Sequence, residues 1–206
     1  WPENSFCWDG VAANLNTNLR VIAPDLRGLG DSPRTTAVAS YQKLELAKDI
    51  MGMLDAMGIT SYYLVGHDWG GAVAQEIAFQ APTKVKKLVI INFPILTNQK
   101  GAAAVKDYMC SVCYRPYWYQ YFQMQANLPE AMIKGNEDLW VKHFFGTKAT
   151  DGAIPSAVIN EYVRCYKISN TPLTAANLYR SMSLDYQHWA TLSGKFAMPG
   201  LYIYGN

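Results

Sequence analysis

The sequence is sparing with cysteine, with histidine and with charge of either sign. Cys7, Cys110, Cys113 and Cys165 are too few to frame 206 residues with disulfides. Cys110 and Cys113 have the spacing of one half of a zinc site, but no second close pair of Cys or His completes four ligands. No metal is expected. Lys and Arg number 18 against 16 Asp and Glu, a net charge of +2. That gives no electrostatic case for nucleic acid or an anionic membrane surface. No apolar run approaches the roughly 20 residues of a spanning helix. There is no internal repeat and no low-complexity tract. What is there is half apolar, enough for one globular domain with a sizeable core.

The most informative stretch is Tyr62-Tyr-Leu-Val-Gly-His-Asp-Trp-Gly-Gly-Ala72. The run Tyr62–Val65 reads as a short buried strand. Val73, Ile77 and Ala78 then fall on one face of a helix. A strand that turns into a helix through Gly66-x-Asp68-x-Gly70 lifts the middle side chain out of the turn, at the carboxyl end of the strand. Gly66 and Gly70 are expected to be glycine because a Cβ would collide with crowded backbone. The helix N-terminus favours negative charge at Asp68. A capping role alone would account for Asp68. It would not account for glycines on both sides and a third at Gly71.

Along the chain, Val11, Ala12 and Leu15 suggest a short helix, and Leu19–Pro24 a buried strand closed by proline. Asp25-Leu-Arg-Gly-Leu-Gly-Asp-Ser32 is a glycine-rich turn. It lacks the third glycine and the following helix of a dinucleotide loop, so no nucleotide cofactor is expected. Tyr41–Met57 carries a helical stripe of Leu44, Ala47, Met51 and Leu54, with Ser40 as N-cap and Gly58 as stop. Lys87–Ile91 and Leu201–Tyr204 read as further strands, and nothing between about 95 and 190 does. The pattern predicts an α/β fold: a mostly parallel sheet with helices on both faces and a helical lid inserted after the strand ending near residue 91. The expected division is a core over 1–94, a helical lid over 95–190, and a return to the core over 191–206.

These motifs resemble those of the α/β-hydrolases with an aspartate nucleophile, the epoxide hydrolases and the haloalkane and haloacid dehalogenases. Gly66-His-Asp-Trp-Gly-Gly71 matches the nucleophile elbow, and Asp25–Ser32 a second family motif. Trp1-Pro2 is similar to the end of the family's His-Gly-x-Pro motif. The resemblance implies that Pro2 is a cis proline and that the backbone N–H groups of Trp1 and Trp69 form the oxyanion hole. It implies Asp68 as nucleophile. In lids of the epoxide hydrolases two tyrosines face the oxirane oxygen. They map onto Tyr119, in Trp118-Tyr-Gln-Tyr-Phe122, and onto Tyr179, in Leu178-Tyr-Arg-Ser-Met182. Tyr121, two residues on, competes with Tyr119. Trp69, Trp118, Phe93 and Pro94 are expected to wall the substrate pocket.

The nucleophile narrows the chemistry. Carboxylate attack on an acyl carbon yields an anhydride and gains little, whereas attack on saturated carbon yields a stable ester. A base-activated water then splits that ester. The expected partner is therefore a small epoxide or alkyl halide, with no cofactor. An epoxide leaves as an alkoxide and needs a proton, which a tyrosine can hold at neutral pH. A halide needs N–H donors and no proton. His67, beside the nucleophile on the elbow, is expected to point its side chain away from the site, and His143 and His188 lie in the helical insert. Asn92, at one family position of the acid, is no acid. The expectation is a central part of a longer enzyme, with the His and acid beyond residue 206. Such a part forms the ester but does not turn over. A cytoplasmic location is expected, with a leader before residue 1 left open. The alternatives are a dehalogenase and a non-catalytic ligand-binding module of the same fold.

Overall fold

The computed structural model describes residues 1–15, 17–113, 117–145 and 154–205. In order, the elements are α1 (Asp9–Ala13), α2 (Lys43–Ala56), β1 (Tyr62–His67), α3 (Trp69–Gln80), β2 (Val85–Ile91), α4 (Gln99–Ser111), α5 (Trp118–Met124), α6 (Leu128–Ile133), α7 (Glu137–Phe145), α8 (Ser156–Tyr166), α9 (Thr171–Arg180), α10 (Met182–Trp189) and β3 (Gly200–Ile203). Short 3-10 turns precede α1 and α2. Between β2 and β3 every regular element of the described residues is helical.

The chain divides into two compact units, residues 1–36 with 123–177, and residues 37–122 with 178–206. The second holds the sheet, parallel throughout in the order β1-β2-β3. The register sets Leu64 beside Leu88 and Gly66 beside Ile90. Leu88 and Ile90 are buried, and α3 packs on β1 and β2 with α2 against it. Helix α3 is buried nearly all round, from Gly71 to Ala78, as suits a helix enclosed by sheet and neighbouring helix.

The opposite sheet face is open. Tyr63 is 58% exposed and Val65 46%, and all of β3 is exposed, so β1 is not the buried strand its composition suggests. In β1 the reason is the pleat: alternate residues face opposite sides, and only one side of the strand is covered by α3. Leu19–Pro24 forms no strand and pairs with no described strand, and Leu19 and Val21 stand exposed. An apolar run without a ladder partner does not become a strand. Helix α2 starts at Lys43, not Tyr41, and Ser40 sits in the preceding 3-10 turn instead of capping it.

The glycines of the elbow divide differently from expectation. A Cβ on Gly66 would lie 2.7 Å from the carbonyl carbon of Gly70 and strike its oxygen, and one on Gly71 would lie 2.8 Å from Cβ of Phe93. A Cβ on Gly70 meets nothing within 4 Å. The crowding is thus felt at Gly66 and Gly71, because Gly70 supplies the obstructing carbonyl and faces outward itself. Gly66→Ala is therefore expected to lower stability by several kcal/mol or prevent folding, while Gly70→Ala in the first turn of α3 is neutral or gains about 0.5–1 kcal/mol. Urea midpoints of the two variants check this.

In the other unit the Asp25–Ser32 turn is a latch. The Asp25 carboxylate accepts from the backbone N–H of Ser5 at 2.6 Å and of Asp31 at 2.9 Å. Gly28 and Gly30 take φ of 86° and 52°. A side chain on Gly30 would run into the Asp25 carboxylate, which is why this turn needs glycine. Thr174 Oγ1 donates to the Gly28 carbonyl at 2.6 Å and Arg34 Nε to Thr171 Oγ1 at 2.8 Å, so α9 is pinned to the turn.

Candidate active site

Asp68 sits between β1 and α3 with φ 51° and ψ −129°, in a region that costs an L-residue of order 1–3 kcal/mol. Its backbone N–H donates to the Ile91 carbonyl at 3.1 Å, and its own carbonyl accepts from the Gly71 N–H at 2.8 Å. These bonds at both ends hold the strained residue. The Asp68 side chain makes no capping hydrogen bond to α3 and is partly exposed. The capping explanation of Asp68 therefore fails.

Around it the second unit gathers several of the expected residues. The Trp69 ring packs edge-on against Tyr179, with centroids 5.2 Å apart, and lies 5.5 Å from Phe93. Tyr179 is 2% exposed and meets Tyr119 edge-on at 6.0 Å. The two phenols share a hydrogen bond, and Tyr119 also bonds the Gln120 side chain. Burial pushes the Tyr119 phenol above its ordinary pKa. The negative charge of Asp68 pushes it the same way, and the bonds to Gln120 and Tyr179 oppose this. Tyr119 therefore remains protonated at neutral pH.

Trp118 stacks near Tyr119 and Phe122 but is 44% exposed. Tyr121 is exposed as well, and its phenol acts on Tyr186. Pro94 is exposed, and its carbonyl accepts from Gln75 Nε2 at 2.9 Å. Trp1 belongs to the other unit, where it packs on Trp140 at 6.2 Å and Phe144 at 5.2 Å, and its peptide bond to Pro2 is cis as expected.

Three buried polar residues near the elbow escaped the sequence reading. Gln75, fully buried on α3, also accepts from the Leu96 N–H at 2.9 Å and so fixes the segment after Phe93. Glu76, equally buried, takes the Trp189 indole N–H at 2.7 Å and His188 Nε2 at 3.1 Å, joining α10 to α3. The third is Lys43. Its Nζ donates to the Leu178 carbonyl at 2.5 Å, to Ser181 Oγ at 3.0 Å and to Asp185 Oδ2 at 2.7 Å. It also lies 4.0 Å from the centroid of the Trp69 ring.

Burial pushes the Lys43 ammonium down to about 8, against the opposite pull of Asp185 and Asp68. The folded value lies below the ordinary 10.5, so between these limits the unfolded chain binds the extra proton. The cost of the buried charge is present below about pH 8 and lifts as pH rises toward 10.5. Relative to a Lys43→Met/Asp185→Leu variant, the urea midpoint of the unsubstituted chain is expected to rise over this window.

Asn92, with φ 51°, holds the other edge: its side-chain oxygen accepts from the Gly205 N–H at 2.8 Å, and its backbone N–H donates to the Ile203 carbonyl at 2.9 Å. Among the described residues, one group of potential metal ligands lies close together, Asp31, Glu161 and Cys165. The Arg164 guanidinium bridges both carboxylates, at 2.8 and 2.7 Å, which makes this an ion-pair network. No helix among the described residues is long and apolar enough to cross a membrane.

A sharp strand-to-helix bend carrying an acidic side chain, on a parallel sheet, defines the class. The chain belongs to the alpha/beta hydrolase fold family, whose model matches residues 1–205. It is 33% identical over 153 residues to Epoxide hydrolase 4 of Mus musculus, a match covering 73% of this chain and 41% of that protein. The fold superposes on the crystal structure of ALR0039 from Nostoc sp PCC 7120 with a TM-score of 0.84 and 27% identity, covering all of this chain and 71% of the other. Against epoxide hydrolase CorEH the TM-score is 0.78 at 25% identity, over all of this chain and 72% of that one. The chain thus spans about two fifths of the length of the mouse relative.

Proposed function

We propose that this chain carries the ring-opening chemistry of an epoxide hydrolase. An Asp68 carboxylate oxygen attacks a ring carbon, an ester C–O bond forms and the epoxide C–O bond breaks. The oxygen leaves as an alkoxide and takes its proton from Tyr119 or Tyr179. Trp69, Phe93, Pro94 and Trp118 wall the pocket. The backbone N–H of Trp69 acts later, on the tetrahedral intermediate of ester hydrolysis. That second half needs a His paired with an acid.

The observation that carries the proposal is the pair of hydrogen-bonded phenols, one of them under the electrostatic influence of the Asp68 carboxylate on its strained bend. Two adjacent phenols, each with one O–H, suit an oxygen leaving group. The similarity to Epoxide hydrolase 4 and CorEH supports the same substrate class.

One observation favours a dehalogenase instead. The Trp69 indole N–H is buried and has no hydrogen-bond partner among the described residues, and an N–H donor beside the nucleophile suits a halide. Reaction of the chain with styrene oxide and with a primary alkyl bromide, followed by intact mass, separates the two. Faster capture of the epoxide is expected, and faster capture of the bromide with halide release would transfer the assignment.

A further inference from the structure

We infer that Lys43 is a positioning residue for the proposed site, one that ties Tyr179 and Trp69 into a fixed relation beneath Asp68. The inference rests on the ring-opening assignment for its consequence, though not for its geometry. Lys43 opens α2 and is fully buried. All three ammonium protons are used: on the carbonyl of Leu178, the residue before Tyr179, on Ser181 two residues after it, and on Asp185 one turn further on. The same ammonium stands over the Trp69 indole, and that ring meets Tyr179 edge-on. One cation therefore touches the backbone carbonyl just before the phenol, a side-chain hydroxyl two residues after it, and the aromatic wall the phenol leans on. Asp185 also receives the Lys43 backbone N–H at 2.8 Å, and Ser181 Oγ donates to the Tyr41 carbonyl at 2.9 Å, so the tie is closed on the α2 side as well.

The arrangement is costly by the measure of solvation. A buried ion pair is often no more stable than an apolar pair of the same volume. An account in terms of stability alone therefore leaves the cation unexplained. An account in terms of placement does not: a ring whose hydroxyl must meet a developing alkoxide loses function with a displacement of about 1 Å. The charged groups acting on Lys43 are Asp185 on α10 and Asp68 at the elbow.

The test replaces the pair together, as Lys43→Met/Asp185→Leu, so that no lone charge is left buried. Two readouts are taken on the 206-residue chain. The first is a double-mutant cycle on styrene oxide capture. Tyr179→Phe should cost about ten-fold or more in the unsubstituted chain and less than about two-fold in the apolar-pair background, because the phenol is already misplaced there. Costs that simply multiply would make Lys43 a packing residue and overturn the inference. The second readout needs no reaction: fluorotyrosine NMR, with the Tyr179 signal assigned by its loss in Tyr179→Phe. That signal should shift or broaden in the apolar-pair variant, and an unmoved signal overturns the inference. If the unsubstituted chain captures no epoxide, the ring-opening assignment fails while the NMR arm still decides the role of Lys43. Should the variant not fold, Ser181→Ala, which removes one anchor of the ammonium, takes its place, and the Tyr179 signal should again shift or broaden. An unmoved signal overturns the inference.

Discussion

In Asp68→Asn, covalent capture of styrene oxide falls on the order of 10⁴-fold or more, the scale on which loss of a nucleophile acts in other hydrolases. The carboxamide has nearly the shape of the carboxylate but a delocalised, uncharged oxygen, a far weaker nucleophile toward saturated carbon. Asparagine also tolerates positive φ better than most residues, so the 51° bend survives the change. The comparison is made in a Cys110→Ser/Cys113→Ser background, because both thiols are exposed and thiolates attack epoxides unaided. Time-resolved intact mass reports the rate. Capture that persists at the original rate would place the nucleophile elsewhere.

The second large effect is expected from the phenols. Tyr119→Phe and Tyr179→Phe each slow epoxide capture about ten-fold or more, and the double variant slows it by about 10²–10⁴-fold, the range of general acid catalysis. The ring stays in each variant, so packing against Trp69 is kept and only the proton and hydrogen bond are lost. The same double variant should leave capture of an alkyl bromide within about three-fold, because bromide departs without a proton. Single-turnover rates with both reagents check the contrast. Equal losses with both would mean that the hydroxyls support the pocket and not the leaving oxygen.

Asp68 could be picked out because glycine spacing announces a tight bend before any coordinates are seen. Tyr119 and Tyr179 came through motif similarity in stretches where tyrosines are common, and helix spacing alone would not have chosen them. The strand is legible in Leu88–Ile91, an unbroken apolar run that pairs in parallel with β1 and β3, but such a run implies a sheet covered on both faces and here one face is open. Leu19–Pro24 has the same chemistry and forms no strand, because pairing is a property of the neighbour and not of the segment.

Lys43, Gln75 and Glu76 were illegible for a different reason. Each is a polar residue on a helix, where the default expectation is a place on the solvated side, whereas Lys43 is buried at the start of α2 and Gln75 and Glu76 lie on the enclosed α3. What buries them is partners far along the chain: Asp185 is 142 residues from Lys43, and Trp189 is 113 from Glu76. No local pattern encodes such a pairing. The interchange of Gly70 and Gly71 has a similar cause, since the obstacle at Gly71 is Phe93 across the sheet edge.

The most direct measurement is peptide mapping of the chain after reaction with styrene oxide, by proteolysis and tandem mass spectrometry. The expected result is a single addition of the epoxide mass on the peptide containing Asp68, localised to that side chain and absent in Asp68→Asn. Addition confined to the cysteines, or none at all while the chain is folded, would contradict an attacking carboxylate at residue 68.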